Sequence, residues 1–183
     1  MELPCQIVAS ILAVLSRALL ALYEHLSPRS DRAQAARWAQ ISSWSLYLLS
    51  VFPWTFLYLT RRNWIAVAME ICGLPGMILA LVAAWHVRTY TPPTWLNRLT
   101  IACIIVGLSM SSWDALHGLG DWSQLCELGM AAGFLVGTYH LAHKRLKGYY
   151  WYLFMHVCCA GLMYRQGRYV LLGQQGISFL ITV

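Results

Sequence analysis

Residues 44–70, WSLYLLSVFPWTFLYLTRRNWIAVAME, and residues 151–175, WYLFMHVCCAGLMYRQGRYVLLGQQ, read as two apolar hairpins built to one pattern. Each starts with an aromatic-rich helix, marked by Trp44 and Tyr47 in one and by Tyr149, Trp151 and Tyr152 in the other. Each turns at an arginine-containing connector, Arg61-Arg62-Asn63 or Arg165-Gln166-Gly167-Arg168, and resumes with an aromatic, Trp64 or Tyr169. Six residues later comes Glu70 or Gln175; Ser50 lies fourteen residues before Trp64, and His156 thirteen before Tyr169. At a rise of about 1.5 Å per residue, Glu70 and Gln175 lie about 9 Å into their helices. Polar groups are expensive in hydrocarbon, so a pair repeated at matching depth points to a site. It also points to a chain made of two copies of one unit, an internal symmetry common among small transporters.

Composition sets the class. The chain has 183 residues, 59% hydrophobic and 11% charged, with a mean hydropathy of +0.56. A soluble domain carries about 25% charged residues, so the composition is that of an integral membrane protein with the lipid bilayer as its partner. The net charge of +6 does not indicate nucleic acid, because the basic residues fall mostly in short connectors, as topology signals do. All six cysteines lie in apolar stretches without zinc-type spacing, and the adjacent Cys158 and Cys159 read as small packing residues. The first apolar run follows an acidic Glu2 and lacks a basic leader, so it reads as a span and not a cleaved signal.

A span needs about 20 apolar residues. Seven stretches qualify: 4–25, 41–60, 64–87, 98–116, 122–143, 149–165 and 168–183. The connectors on one side carry Arg29, Arg32, Arg37, Arg88, Arg98, Lys144, Arg145 and Lys147; those on the other carry Arg61, Arg62, Arg165 and Arg168, with Asp114 and Asp121. The positive-inside rule then puts the N-terminus outside and the C-terminal end in the cytoplasm of a plasma or inner membrane. Trp38, Trp64, Trp85, Trp95 and Trp122 cluster near span ends, where interfacial belts form.

A fainter echo, Cys5-Gln6 against Cys126-Glu127, extends the hairpin repeat to spans one and five. The expected fold is all-α: two parallel three-helix repeats (residues 1–90 and 119–183) joined by a linker helix within 91–118, with a site between the units. Gly129, Gly133 and Gly137 in span five form a face that admits a helix closely. Pro53 in span two and Gly73-Leu74-Pro75-Gly76 in span three would bend or open their helices, either for a cavity or as packing kinks.

The run from Gly148 to Gln175 resembles the Pnu-type vitamin transporters, the nicotinamide riboside transporter family. Laid on that family's pattern without a gap, Gly148 falls on an Asn, Tyr149 and Tyr152 on two Trp, and His156 on a substrate-facing Asn; Gly167 and Tyr169 match the family's Gly and Tyr. In the first hairpin Tyr47, Ser50, Trp64 and Glu70 fall on the aromatic, Asn, aromatic and Gln positions. The resemblance covers the hairpins and the seven-span plan. It implies facilitated diffusion of a vitamin such as nicotinamide riboside, thiamine or riboflavin, trapped by phosphorylation in the cytoplasm. Both Asn positions and one Gln are changed here, so the cargo need not be the family's. A carboxylate at Glu70 would suit a cationic ring held between aromatic faces. The SWEET sugar transporters share the three-one-three plan but carry prolines in both repeats, and the second repeat here has none.

The expected substrate-binding set is therefore His156, Gln175, Glu70, Ser50, Tyr152, Tyr149, Tyr47 and Trp44, with no catalytic residue, metal or cofactor. Each has a plainer reading: an ion pair of Glu70 with Arg17, a buried hydrogen-bonded His156, interhelical bonds for Gln174 and Gln175, packing for Ser50, and core or interface for the aromatics. Glu127 divides evenly between the two. No nucleotide-binding motif is present, so ATP hydrolysis on this chain does not drive transport; proton coupling through Glu70 or His156 stays open. Two rivals come from other classes. His25, His86, His140 and His143 at cytoplasmic span ends could hold a metal or haem, and Asp114, His117 and Asp121 could bind a cation, form a catalytic group or simply be a solvated loop. The glycine face of span five could instead serve a non-transporting membrane partner, or a homo-oligomer.

Overall fold

The computed structural model describes residues 2–28, 32–60, 62–86, 91–117 and 122–183, leaving aside the side chains of Glu2 and His117. Arg29, Arg61, Arg88 and Asp121, used above for sidedness, lie outside the described residues. The described chain is all-helical: α1 Glu2–Leu26, α2 Ala33–Thr60, α3 Trp64–Trp85, α4 Thr94–His117, α5 Trp122–Ala142, α6 Lys147–Arg165 and α7 Tyr169–Thr182. Each expected stretch contains one helix. The largest difference is at α2, which starts at Ala33 rather than 41. Its first turns, AQAARWAQ, are too polar to count as a span but rich in Ala, Gln and Arg, all good helix formers. Helix α4 starts at Thr94, directly after Pro92-Pro93, where proline ends its restriction on the preceding backbone.

Among the described residues, four helical segments are long and apolar enough to cross a membrane: Leu3–Leu26, Trp64–Trp85, Thr94–Leu116 and Trp122–Ala142. Helix α2 is long enough but diluted by serines, tryptophans and tyrosines. Helix α6 is diluted likewise by its tyrosines and His156. Helix α7, at 14 residues, spans about 21 Å, short of the roughly 30 Å hydrocarbon core. Large apolar side chains face outward around the bundle, among them Phe52, Ile105, Leu125 and Val157, as a lipid-facing surface requires.

The most extensive helix contacts are α1 with α2 and α5 with α6; α2 then meets α3 and α6 meets α7, while α3 packs on α5, α7 on α1, and α4 on both α3 and α5. The glycine face of α5 is filled from within the chain. A Cβ on Gly133 would stand 2.6 Å from the Trp151 carbonyl oxygen, one on Gly129 2.6 Å from Cys158 Sγ, and one on Gly137 3.3 Å from the Gly148 carbonyl oxygen, all on α6. The stripe that the sequence offered to a partner protein is thus the α5–α6 seam. Neither proline opens its helix: α2 runs through Pro53 and α3 through Pro75. Gly73 and Gly76 instead admit Phe134 and Thr138 of α5, which is the packing reading of that motif. All six cysteines are free thiols.

Three helices end alike. After α2, α5 and α6 the backbone turns left-handed at Arg62 (φ 54°), Lys144 (φ 55°) and Gly167 (φ 65°). The next amide then reaches back five residues, Asn63 to the Tyr58 carbonyl, Arg145 to His140 and Arg168 to Met163, closing Schellman caps. Lys144 and Arg145 line a cavity with Glu24 and Gln40 at one end of the bundle, whereas Asn63, Gln166 and Arg168 line another cavity with Glu127 and Ser111. At the first end Arg37 also donates to the Trp85 carbonyl, and Trp38 meets Trp85 edge-on.

Candidate functional site

Two apolar clusters form the core. One holds Trp44, Met69, Phe134, Tyr152 and Met155; the other holds Trp54, Leu57, Cys159, Met163 and Leu171. Between them lies a cavity of about 90 Å³. Residues from both clusters and from both hairpins line it.

Four of the eight expected residues face this cavity: Glu70 of α3, Tyr47 of α2, His156 of α6 and Gln175 of α7. His156 and Gln175 are both buried, and Nδ1 of His156 donates to Oε1 of Gln175 at 2.7 Å. The imidazole Nε2 is thereby left as an acceptor with no partner, buried in the cavity wall. Beside them Ser178, also nearly fully buried, has an unpartnered hydroxyl, while Gln174 accepts from Ser10 across to α1. Gln174 therefore takes the interhelical reading, and Gln175 couples to the site through His156. Glu70 lies among Tyr58, Ala66, Met69 and Met130, and no hydrogen bond to it is recorded among the described residues.

The anticipated Arg17–Glu70 ion pair is not formed. Arg17, 6% exposed, turns to the tyrosines instead: Nη2 donates to the Tyr47 hydroxyl at 3.0 Å, and the guanidinium lies 4.7 Å from the Tyr47 ring centre and 3.9 Å from that of Tyr152. The depths explain this: Arg17 is fifteen residues from the start of α1 and Glu70 six from the start of α3, a difference of about 13 Å along the bundle at 1.5 Å per residue.

The other four expected residues sit elsewhere. Tyr152 is fully buried behind the guanidinium, its hydroxyl 2.8 Å from Thr138 Oγ1. Ser50 is buried and donates to its own helix, to the Tyr47 carbonyl at 2.7 Å; it packs and does not reach the cavity. Trp44 and Tyr149 line a separate cavity at the far end of the bundle, where the Tyr149 hydroxyl donates to Glu24 at 2.7 Å. Ser50→Ala should therefore change stability by less than about 1 kcal/mol, since the hydroxyl satisfies only a helix carbonyl that already has its ladder bond. A larger fall of the thermal midpoint in detergent would show that the hydroxyl has a further partner.

The structure adds Trp54 and Tyr58, whose rings stack at 5.7 Å along the cavity wall. Tyr47, Trp54 and Tyr58 are spaced by seven and four residues, one face of a helix, so this aromatic wall could have been read from α2. From the main cavity a second one continues past shared residues Tyr58, Met69, Met130 and Met163 to Asn63, Glu127, Gln166 and Arg168 at the connector end. Glu127 thus belongs to the approach and not to the centre.

No set of three or more His, Cys, Asp or Glu side chains comes together among the described residues. His143 Nδ1 bonds the Tyr139 carbonyl and His86 Nδ1 the Val82 carbonyl, each one turn back on its own helix; this is interface behaviour rather than metal ligation. The Asp114, His117 and Asp121 group falls partly outside the described residues. Compared with protein-family models, curated proteins and solved structures, the chain matches none. What fold and site define is a class: among the described residues, an all-helical bundle with several membrane-compatible helices and a mostly apolar internal cavity into which a few polar side chains are set.

Proposed function

We propose that the chain is a seven-span membrane carrier of two parallel three-helix units, α1–α3 and α5–α7, with α4 as linker. Its cargo is a small polar aromatic or ribosylated solute of the vitamin type. The observation that carries this reading is the cavity at mid-depth, where Glu70 and Tyr47 of one hairpin meet His156 and Gln175 of the other.

Internal equivalences support the repeat. An offset of 105 residues carries Tyr47 onto Tyr152, Arg62 onto Gly167 and Asn63 onto Arg168; an offset of 121 carries Arg17 onto Thr138 and Ser16 onto Gly137. In each unit the first helix then bonds the second helix's tyrosine hydroxyl, Arg17 to Tyr47 and Thr138 to Tyr152. Each second helix ends in the same left-handed cap. Ser43, which donates to the Ser16 carbonyl, corresponds to Gly148, which abuts Gly137. The packing α3 on α5 has its counterpart in α7 on α1.

The cavity runs toward the end that holds Asn63 and Arg168 and is closed toward the other by the layer Arg17–Tyr47–Tyr152–Thr138. Such an arrangement fits an alternating-access carrier that faces one side, with rocking of one unit against the other exchanging the open end. The excess of basic connector residues at the closed end supports a cytoplasmic position for it in a plasma or inner membrane. Aromatic faces hold the ring while Glu70, His156 and Gln175 orient it. The reading is tested by reconstituting the purified chain in liposomes and measuring uptake of labelled nicotinamide riboside, thiamine and riboflavin. Saturable uptake of one of them over protein-free liposomes is expected; no saturable uptake of any would sink the carrier.

A further inference from the structure

Arg17 is a surplus charge in an otherwise balanced layer. Its counterpart Thr138 does the same structural task, bonding a tyrosine hydroxyl, without a charge. A guanidinium 94% removed from solvent normally sits against a carboxylate; this one has two tyrosine rings and their neutral hydroxyls, and among the described residues it makes no ion pair. The rings hold it flat and pre-oriented, which suits the planar, two-pronged recognition of an oxyanion. It forms the floor of the cavity whose upper part holds Glu70. Two further groups in that wall, Ser178 Oγ and His156 Nε2, are buried without partners. Buried polar atoms left unpaired are rare unless a ligand or water completes them.

Building on the carrier reading, we propose that the site takes a zwitterionic solute, with a carboxylate or phosphate at Arg17 and a cationic ring toward Glu70. The roughly 13 Å between their depths favours a solute with its charges well separated, such as a ribosylated ring bearing a phosphate, over a compact one.

Two matched pairs of probes test this by calorimetry on the full chain in detergent: nicotinamide riboside against its 5′-phosphate, and N-methylnicotinamide against N-methylnicotinate. In each pair the ring cation is kept and an anionic group is added. The expected result is at least tenfold tighter binding of the anionic member of one pair. Arg17→Thr, which copies the other unit, should bring that ratio to near one, and Arg17→Lys should keep part of it. Size-exclusion profiles of both variants show that the fold is intact. Equal binding within both pairs, or a preference that survives Arg17→Thr, overturns the proposal. If the cationic members alone bind and accumulate in liposomes, the carrier stands and the zwitterion falls; if no probe binds and no solute is taken up, the carrier itself falls.

Discussion

Replacing Gly133 by alanine should unfold the α5–α6 seam, lowering stability by about 2–3 kcal/mol. In an isolated helix the same change would help by up to about 1 kcal/mol, so the sign is decided by contact. The added Cβ would stand 2.6 Å from the Trp151 carbonyl oxygen and 2.6 Å from Met155 Cβ. A backbone oxygen cannot rotate away, so the helices must separate and lose dispersion contacts along their length. Gly129 provides the control: its Cβ would meet Cys158 Sγ at the same distance, but a cysteine side chain can change rotamer, and the loss should be about half as large. Thermal midpoints in one detergent compare the two variants. A stabilised Gly133→Ala would mean that the seam is not close-packed, and equal losses would mean that Cys158 has no rotamer to yield to.

Glu70→Gln should weaken uptake of a cationic solute at least tenfold, about 1.4 kcal/mol, while a neutral solute of similar size changes little. The two side chains have the same shape, so the variant removes a charge without opening the wall. Glu70 contributes a carboxyl group to the cavity, and a permanently cationic ring in a low-dielectric site favours the ionised carboxylate and is attracted to it. Uptake of thiamine and riboflavin by the same liposomes separates the effects. An unchanged thiamine rate in Glu70→Gln would remove the carboxylate from the binding role.

Seven helices were legible because hydrophobic length and connector chemistry are local properties. The start of α2 was not, since its first turns are helical by propensity while reading as polar loop by hydropathy. Repetition also picked out three residues that line one cavity, Glu70, His156 and Gln175, because polar groups at matching depth need no tertiary information. Arg17 was misjudged for the opposite reason. Opposite charges in apolar helices suggest a pair, but two tyrosines from different units intercept the guanidinium, and only the assembled bundle brings Tyr47 and Tyr152 to its two sides. Ser50 and Trp44 shared the pattern of site residues without the rotation that faces the cavity.

Arg17 lines both the central cavity and a cavity at the opposite end of the bundle, beside Glu24 and Tyr149. The partition between them is thus one side chain thick. In a membrane carrying a potential, most of the voltage would drop across so thin a septum and not along the water-accessible cavities on either side. The guanidinium would then sit where the field is steepest, and displacing its charge fully across would be worth about 2.3 kcal/mol per 100 mV. Opening of the layer would thereby be biased by membrane voltage, even for a solute that is electrically neutral.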